Sequence, residues 1–418
     1  MRILFVVHQF RPEYATGTET VIFNVAKACQ RAGHQVTVLT CSLGDPSAWA
    51  AAPEDGLRFT VVESLPIYAI PAALVSDPFA LCKEADAAVK DIVLRFLSAR
   101  NFDVAHIGHS MRMFSAIEAM REANLPYIVT LTDFFPLCYR VNLVRASGEL
   151  CGGPHGGRAC LSYCSPVNGE PSERFQRFRL LLAGAGARVA CSDFVHRQYA
   201  RSFSDLAFET LPHGVDALRA YSITARKREG EGIRFGFLGT LSAPKGVALL
   251  AEAFAAAELH DASLEIVGPA HGDVQTARAI EAIATVHPNI TIRGPVSPDD
   301  IFDVISGFDV LCLPSQVPET FSLVLHQAFV CGVPALVSNL GAPAEIVERH
   351  GCGWTTPYAD VAGWTQALRR VATDRALLEA AKSRVPLPLR LEEEGFFYEH
   401  FYRRAMRTQA MIPRVGTV

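Results

Sequence analysis

The sequence contains no apolar run near the ~18 residues that cross a bilayer, and it lacks the clustered positive charge that phosphate backbones demand. Its 39 Lys and Arg stand against 43 Asp and Glu, a net charge of −4 in 418 residues, so nothing points to a nucleic-acid partner. The opening MRILFVVHQF is apolar enough to suggest a secretion signal. The stretch is too short, however, and no small-residue cleavage site follows closely, so a buried strand and a cytoplasmic protein are expected. Three nucleotide signatures are also missing: GxGxxG after the first strand, the GK[ST] ending of a Walker loop, and an Asp-x-Asp metal motif. Cysteine is not scarce, with 11 in the chain. Their odd, scattered count argues for reduced thiols rather than a disulfide framework.

What is present is apolar alternation on a scale that needs two domains. Half the residues are hydrophobic and a fifth charged, enough for a core in each half of the chain. RILFVVH (2–8), a helical pattern from Thr18 to about Gln30, Gly33 and HQVTVLT (34–40) form a βαβ unit, the building block of a parallel sheet. The pattern recurs with VAHIGH (104–109), a helix to about Ala123, PYIVTLTD (126–133) and RVACS (188–192). Periodicity then fades through PHGVD (212–216) and ARKREGEG (225–232), read as a turn and a solvated linker. It restarts with strands RFGFLG (234–239), SLEIVG (263–268), NITIRG (289–294), DVLCLP (309–314) and PALVSN (334–339), separated by helices at 246–258, 273–286, 298–307 and 321–330. The expected domains are 1–210, 211–390 and a C-terminal amphipathic helix within 391–418 that carries Phe396, Phe397, Tyr398, Phe401 and Tyr402 and returns to the first domain. Two doubly wound sheets in tandem imply a cleft, with ligands beyond the carboxyl ends of the strands.

The loops after strands carry the chemistry. In GFLGTLSAPKGVALLAEAF (236–254), Gly239 turns the backbone and Lys245 stands at a helix mouth beside Gly246, where a cation and free N–H groups suit a diphosphate. ATGTE (15–19) places Gly17 and Thr18 at a second helix mouth. SQVPETFSLVLHQAF (315–329) puts Glu319 at the rim of a third, with Ser322 as N-cap and the N–H groups of Ser322, Leu323 and Val324 turned to an anion. Eight helical residues advance about 12 Å, so Glu319 and Gln327 are expected to reach opposite ends of one elongated ligand.

Together these segments, with VACSDF, LPHGVD, LEIVG, ITIRGPV and GAPAEIV, resemble the retaining glycosyltransferases of family 4, of GT-B fold, over nearly the whole chain. The resemblance implies a nucleotide-diphosphate sugar, of UDP or GDP type, held mainly by the second domain, an acceptor held mainly by the first, and retention at the anomeric carbon. It implies catalytic roles for Glu319, Lys245 and His109, the last just after a strand and in competition with His106. Donor contacts are implied at Gly17, Thr18, Gly239, Thr240, Lys245, Gly294, Val296, Glu319, Phe321, Ser322, Leu323 and Gln327. The family's E-x7-E element falls on Glu319 and Gln327, so its second acid is an amide here. Thr240 stands where an arginine is common, and Thr132 of LTDFF where a histidine is. Charge growing on the leaving diphosphate would be met by Lys245 and helix N–H groups, with no metal or other cofactor needed. Two further readings are a non-hydrolysing nucleotide-sugar epimerase and a degenerate binding module without turnover.

Cys138, Cys151, Cys160 and Cys164 form C-x12-C-x8-C-x3-C in a Gly-rich insertion at about 138–165. It is open to a structural zinc, an iron–sulfur cluster, free thiols or disulfides. ERFQRFRLLLAG (173–184) alternates Arg174, Arg177 and Arg179 with Phe175, Phe178 and Leu182. Either it lies on an anionic membrane surface, as a peripheral contact at the inner face, or it packs on the sheet with arginines at its rim.

Overall fold

In the computed structural model of the chain, residues 1–44, 46–51, 56–75, 86–167, 169–217, 232–270 and 272–410 are described. The solvated linker expected at 225–232 lies outside them, Gly232 excepted. The chain divides into two compact units, Met1–His213 with Leu391–Val418, and Gly214–Arg390.

The first unit is built on a nine-stranded sheet: β1 Arg2–Val6, β2 Gln35–Ser42, β3 Ala50–Ala51, β4 Arg58–Val62, β5 Leu65–Pro71, β6 Val104–Ile107, β7 Tyr127–Leu131, β8 Ala187–Ala190 and β9 Glu209–Thr210. Their order is β3-β4-β5-β2-β1-β6-β7-β8-β9. The central strands are parallel. They read as continuous apolar runs because helices cover both faces, and Ile3, Leu4, Phe5 and Val6 are fully buried. An antiparallel hairpin of β4 and β5 extends one edge. Helix Gly17–Arg31 begins on a capping box in which Glu19 accepts from the Thr16 backbone N–H at 2.9 Å, and Gly33 at φ +84 turns the chain out.

The last helix, Leu391–Ala410, belongs to this unit and packs on helix Gly17–Arg31 and on β6, β7 and β8. Tyr398 and Tyr402 are fully buried, whereas Phe396 and Phe397 point outward. Its inner face carries a polar network. Tyr402 Oη lies 2.8 Å from His106 Nδ1, His106 Nε2 lies 2.7 Å from Thr130 Oγ1, and Thr130 lies 2.8 Å from Tyr398 Oη. Below it His213 Nδ1 meets Glu394 Oε1 at 3.0 Å, both side chains almost wholly buried. Burial alone would lower the His213 pKa. Hydrogen bonds to Cys191 and Glu394, with the Glu394 charge, outweigh it and raise the value to about 10.

The arginine-rich segment forms helix Pro171–Ala183. Phe175, Phe178 and Leu182 are buried, so its apolar face is inward. Arg174, expected at the rim, is itself buried; it donates to the Phe135 carbonyl and lies over the Phe135 and Phe178 rings at 4.9 and 4.8 Å. Arg177 lies over Phe114 and Arg179 pairs with Asp205. Arg174 is thus held inside the protein, while Arg177 and Arg179 stay partly exposed beside their partners. No helix among the described residues is long and apolar enough to cross a membrane.

The second unit has six parallel strands, β10 Ile233–Leu238, β11 Ala262–Val267, β12 Ile290–Arg293, β13 Val310–Leu313, β14 Ala335–Ser338 and β15 Gly353–Thr356. The order is β12-β11-β10-β13-β14-β15. Helices Val247–Ala256 and Val361–Thr373 cover one face around Phe235, Leu250, Phe254, Trp364 and Leu368; helix Leu323–Val330 covers the other with Leu325 and Phe329.

Candidate active site

The order of the six-stranded sheet reverses between β10 and β13, and a doubly wound sheet opens its binding crevice at that switch point. The loops that meet there are those of Lys245 and Glu319. After β10, the Gly239 N–H donates to the Val267 carbonyl at 3.0 Å, and Thr240 is exposed. The chain makes one tight turn, Ala243–Lys245, and passes through Gly246 at φ +70 into helix Val247–Ala256. A Cβ at Gly246 would lie 1.9 Å from the Pro314 carbonyl oxygen, so only glycine lets this loop touch the one after β13. The Gln316 N–H donates to the Pro244 carbonyl at 2.8 Å and ties the same two loops.

This contact lets Lys245 Nζ donate to Glu319 Oε1 at 2.8 Å. Ser315 donates to the same oxygen, and Ser322 also hydrogen-bonds the carboxylate. The Glu319 backbone is held as firmly. Its carbonyl accepts from the Ala342 N–H at 2.9 Å, and a Cβ at Gly341, φ +71, would stand 2.4 Å from that oxygen. The Glu319 side chain is 10% exposed and that of Lys245 42%. Burial alone would raise the Glu319 pKa, but the Lys245 charge and the hydrogen bonds from Lys245, Ser315 and Ser322 prevail and hold it below its ordinary value. Glu319 is thus a preformed anion at a helix mouth.

Two expectations for this segment are corrected. Ser322 does occupy the N-cap position of helix Leu323–Val330, but it sits at φ +72 and its side chain caps nothing, being turned to Glu319. Helix begins only at Leu323, so Gln327 is about 6 Å along the axis from the helix start, not eight helical residues beyond Glu319. Its side chain is half-buried on the helix's second turn. The first-turn N–H groups, Leu323 and Val324 among them, have no acceptor within the helix. Phe321 is backed by the His326 ring at 3.9 Å, and His326 Nδ1 donates to the Ser322 carbonyl at 2.9 Å, fixing the turn from behind. After β12, Gly294 is exposed and a Cβ there would meet nothing within 4 Å; Val296 is half-buried against the core.

The first unit has its own switch point, between β1 and β6. The loops leaving these strands place the His8 and His109 rings 3.9 Å apart. His109 Nδ1 accepts the Met111 N–H at 3.2 Å, so Nε2 carries the proton and donates to Asp133 Oδ2 at 2.7 Å. Both ring nitrogens of His109 are therefore engaged within the protein. His106 is wholly buried and used in the polar network under the last helix, which removes it as a competitor. Burial, with the charges of His109 and Arg112, pushes His8 far below its ordinary value, so it stays neutral. His8 Nε2 lies 3.5 Å from the buried Glu19 carboxylate, and His8 Nδ1 and Glu19 Oε1 have no hydrogen-bond partner among the described residues. Gly17 opens helix Gly17–Arg31 into free space, with nothing within 4 Å of a Cβ, and Thr18 is half-buried beside it.

The four clustered cysteines are all free, and among the described residues no group of three or more metal-type ligands stands in ligating geometry. Ser315, Gly341, His326, His8 and Glu19 were not singled out from the sequence. Only Gly341 left a visible trace there, as the glycine that opens the helix after PALVSN.

Residues 16–209 match the family described as "Glycosyl transferase 4-like domain" and residues 232–374 that described as "Glycosyl transferases group 1". The chain belongs to the family 4 glycosyltransferases, with the GT-B fold. It is similar to the D-inositol 3-phosphate glycosyltransferase of Rhodococcus opacus, 28% identical over 33% of this chain and 30% of that protein. It is similar also to the phosphatidyl-myo-inositol mannosyltransferase of Mycolicibacterium smegmatis, 29% identical over 46% of this chain and 49% of that protein. The match thus spans half or less of the length of these curated relatives. Among solved structures, HepE of Anabaena in complex with UDP and glucose aligns with a TM-score of 0.65 at 15% identity, over 98% of this chain and 99% of that one. At that identity the likeness speaks for the fold.

Proposed function

We propose that the protein is a retaining glycosyltransferase that moves a sugar from a nucleotide diphosphate, of UDP or GDP type, to a sugar, lipid-linked or small-molecule acceptor. Such a reaction belongs to polysaccharide, glycolipid or glycoconjugate synthesis. The observation that carries this reading is the Lys245–Glu319 pair, a cation and a preformed carboxylate held at adjacent helix mouths on the switch point of the second unit.

The chemistry follows from these groups. The bond from the anomeric carbon to the diphosphate oxygen breaks, a bond to the acceptor oxygen forms on the same face, and the acceptor hydroxyl passes its proton to the departing diphosphate oxygen. Negative charge grows on the departing diphosphate, where Lys245 Nζ and the first-turn N–H groups of helix Leu323–Val330 stabilise it, so no metal is called for. Glu319 then accepts hydrogen bonds from hydroxyls of the transferred sugar. Gln327 offers the nucleotide ribose an uncharged partner, and the Gly239–Thr240 and Gly294–Val296 loops frame the rest of the donor. For the first unit we propose that Gly17 and Thr18 border the donor and that His109, oriented by Asp133, contacts sugar through its ring edge or backbone. The relatives named for inositol-based acceptors and the neighbour solved with UDP and glucose support this direction.

The test is calorimetric titration of UDP, GDP, ADP and their common sugar conjugates, followed by a search for transfer and for acceptor-free isomerisation. Binding of one nucleotide class with transfer supports the reading. Isomerisation of UDP-N-acetylglucosamine without acceptor would make the protein an epimerase. Failure of well-folded protein to bind any of them would leave a degenerate module.

A further inference from the structure

The loop that leaves β6 holds an arginine in a conformation that few side chains adopt. After His109 the Met113 N–H donates to the Ser110 carbonyl at 3.1 Å, closing a four-residue turn whose third position is Arg112. That residue sits at φ +62, where glycine or asparagine is at ease and a long side chain is strained. Strain of this kind gathers where a side chain has a task. Met111 and Met113 on either side are buried, so apolar packing fixes the turn while Arg112 stays half-buried.

Among the described residues the guanidinium has no counterpart: Nη1 is buried without a hydrogen-bond partner, and Arg112 enters no ion pair. A buried charged group without an acceptor is costly. The acids of the neighbouring loops are committed elsewhere. Glu13 takes Ser42 Oγ, the Leu43 and Gly44 N–H groups and Trp49 Nε1 at 2.6–2.9 Å. Asp133 takes His109 and the Phe135 N–H. Glu19 holds the Thr16 cap through one oxygen and faces His8 Nε2 with the other. The charge of Arg112 acts on His8, just after β1, and on Cys41 near the end of β2. It therefore stands over the carboxyl ends of β1, β2 and β6, where a doubly wound sheet takes its ligands. His8 adds a second unpaired group there, since its buried Nδ1 also lacks a partner among the described residues.

We propose that Arg112 anchors a negatively charged acceptor, one that carries a phosphate or carboxylate group, in the crevice of the first unit. The inference rests on the transferase reading and narrows its acceptor. A guanidinium presents a planar fork that meets two oxygens of such a group at once. On that reading the donor's diphosphate is met in the second unit by Lys245 and the first-turn N–H groups, so the charge that Arg112 awaits is the acceptor's. Arg112 takes part in no bond change; it selects the molecule that presents its hydroxyl.

Calorimetry on the full-length protein at low salt tests this, with the donor site first filled by the nucleoside diphosphate it binds. Glucose, glucose-6-phosphate and glucuronate are the probes. The two charged probes should bind about tenfold or more tightly than glucose. Arg112→Gln should remove that preference and leave nucleotide affinity unchanged. Arg112→Gly should remove it too and raise the melting temperature, because it relieves the backbone and deletes an unpaired buried charge; an arginine kept for structure would lower it. The proposal is overturned by equal binding of charged and neutral probes to the wild type, or by a charge preference that survives Arg112→Gln. Nucleotide affinity that falls in the variant would also overturn it, placing Arg112 at the donor. If no nucleotide binds, the transferase reading alone has failed, and the same probes titrated into the free protein are judged in the same way.

Discussion

Replacing Lys245 with alanine tests the donor site most directly, because the structure says both what is lost and what should be spared. Lys245 Nζ lies 2.8 Å from Glu319, on a loop locked by Gly246, so the substitution leaves the backbone in place and removes one cation. A charge-assisted hydrogen bond to a diphosphate contributes about 1.5–3 kcal/mol. The lysine side chain is 42% exposed, so solvent screening favours the lower end, about 1.5–2 kcal/mol. That corresponds to a Kd for the nucleoside diphosphate weakened about 10–30-fold. The parent nucleoside has no phosphate to lose and should bind equally to both proteins. Removing the cation also lets the Glu319 carboxyl rise. In the wild type this group adds stability above its ordinary pKa of 4.5, lost as pH falls through its lower folded value. The acid limb of thermal stability should therefore flatten in the variant. Calorimetry with nucleoside and nucleoside diphosphate in parallel reads the effect. Equal diphosphate affinities for wild type and variant would refute the placement of the phosphate site.

Other changes separate chemistry from scaffold. Glu319→Gln keeps shape and frees Lys245, so diphosphate binding should hold or tighten while turnover falls about tenfold or more; undiminished turnover would remove Glu319 from the sugar site. Gly341→Ala forces a Cβ to within 2.4 Å of the Glu319 carbonyl oxygen, and should weaken donor binding and cost about 1–3 kcal/mol of stability in denaturant unfolding. Glu394→Gln breaks the buried pair with His213 and should cost about 3–5 kcal/mol. The folded pKa of His213, about 10, lies above its ordinary 6.5, so the stabilisation is full below pH 6.5 and fades as pH rises through 10. Melting curves at about pH 6 and about pH 9.5 should show the wild type losing stability that the variant never had.

The two sheets were legible because parallel strands buried on both faces leave apolar runs, as in ILFVV and VLCL, and because Gly33 and the turn glycines punctuate them. The β4–β5 hairpin was not, since RFTVV is half-buried along its length and Pro66 and Pro71 interrupt the apolar LPIYAIP. At the site, Lys245 and Glu319 could each be found as a residue at a helix mouth, but not as partners. They are 74 positions apart, and their meeting depends on Gly246 packing against Pro314. Ser322 misled because an N-cap serine and a serine aimed at a carboxylate look alike in sequence; only the backbone at φ +72 tells them apart. Arg174, expected at a rim, misled for a simpler reason. A polar residue beside a strand or on a helix reads as a surface group until the packing that buries it is known.

The last helix has a consequence for how the protein comes into being. The first unit draws its wall from Leu391 onward, so everything between His213 and Arg390 is synthesised before that wall exists. On the ribosome the second unit, a continuous segment, can finish first, while His106, Thr130 and His213 wait with their hydrogen-bond partners not yet made. Nascent chains arrested before Leu391 should present a protease-resistant second unit behind a first unit that is still open.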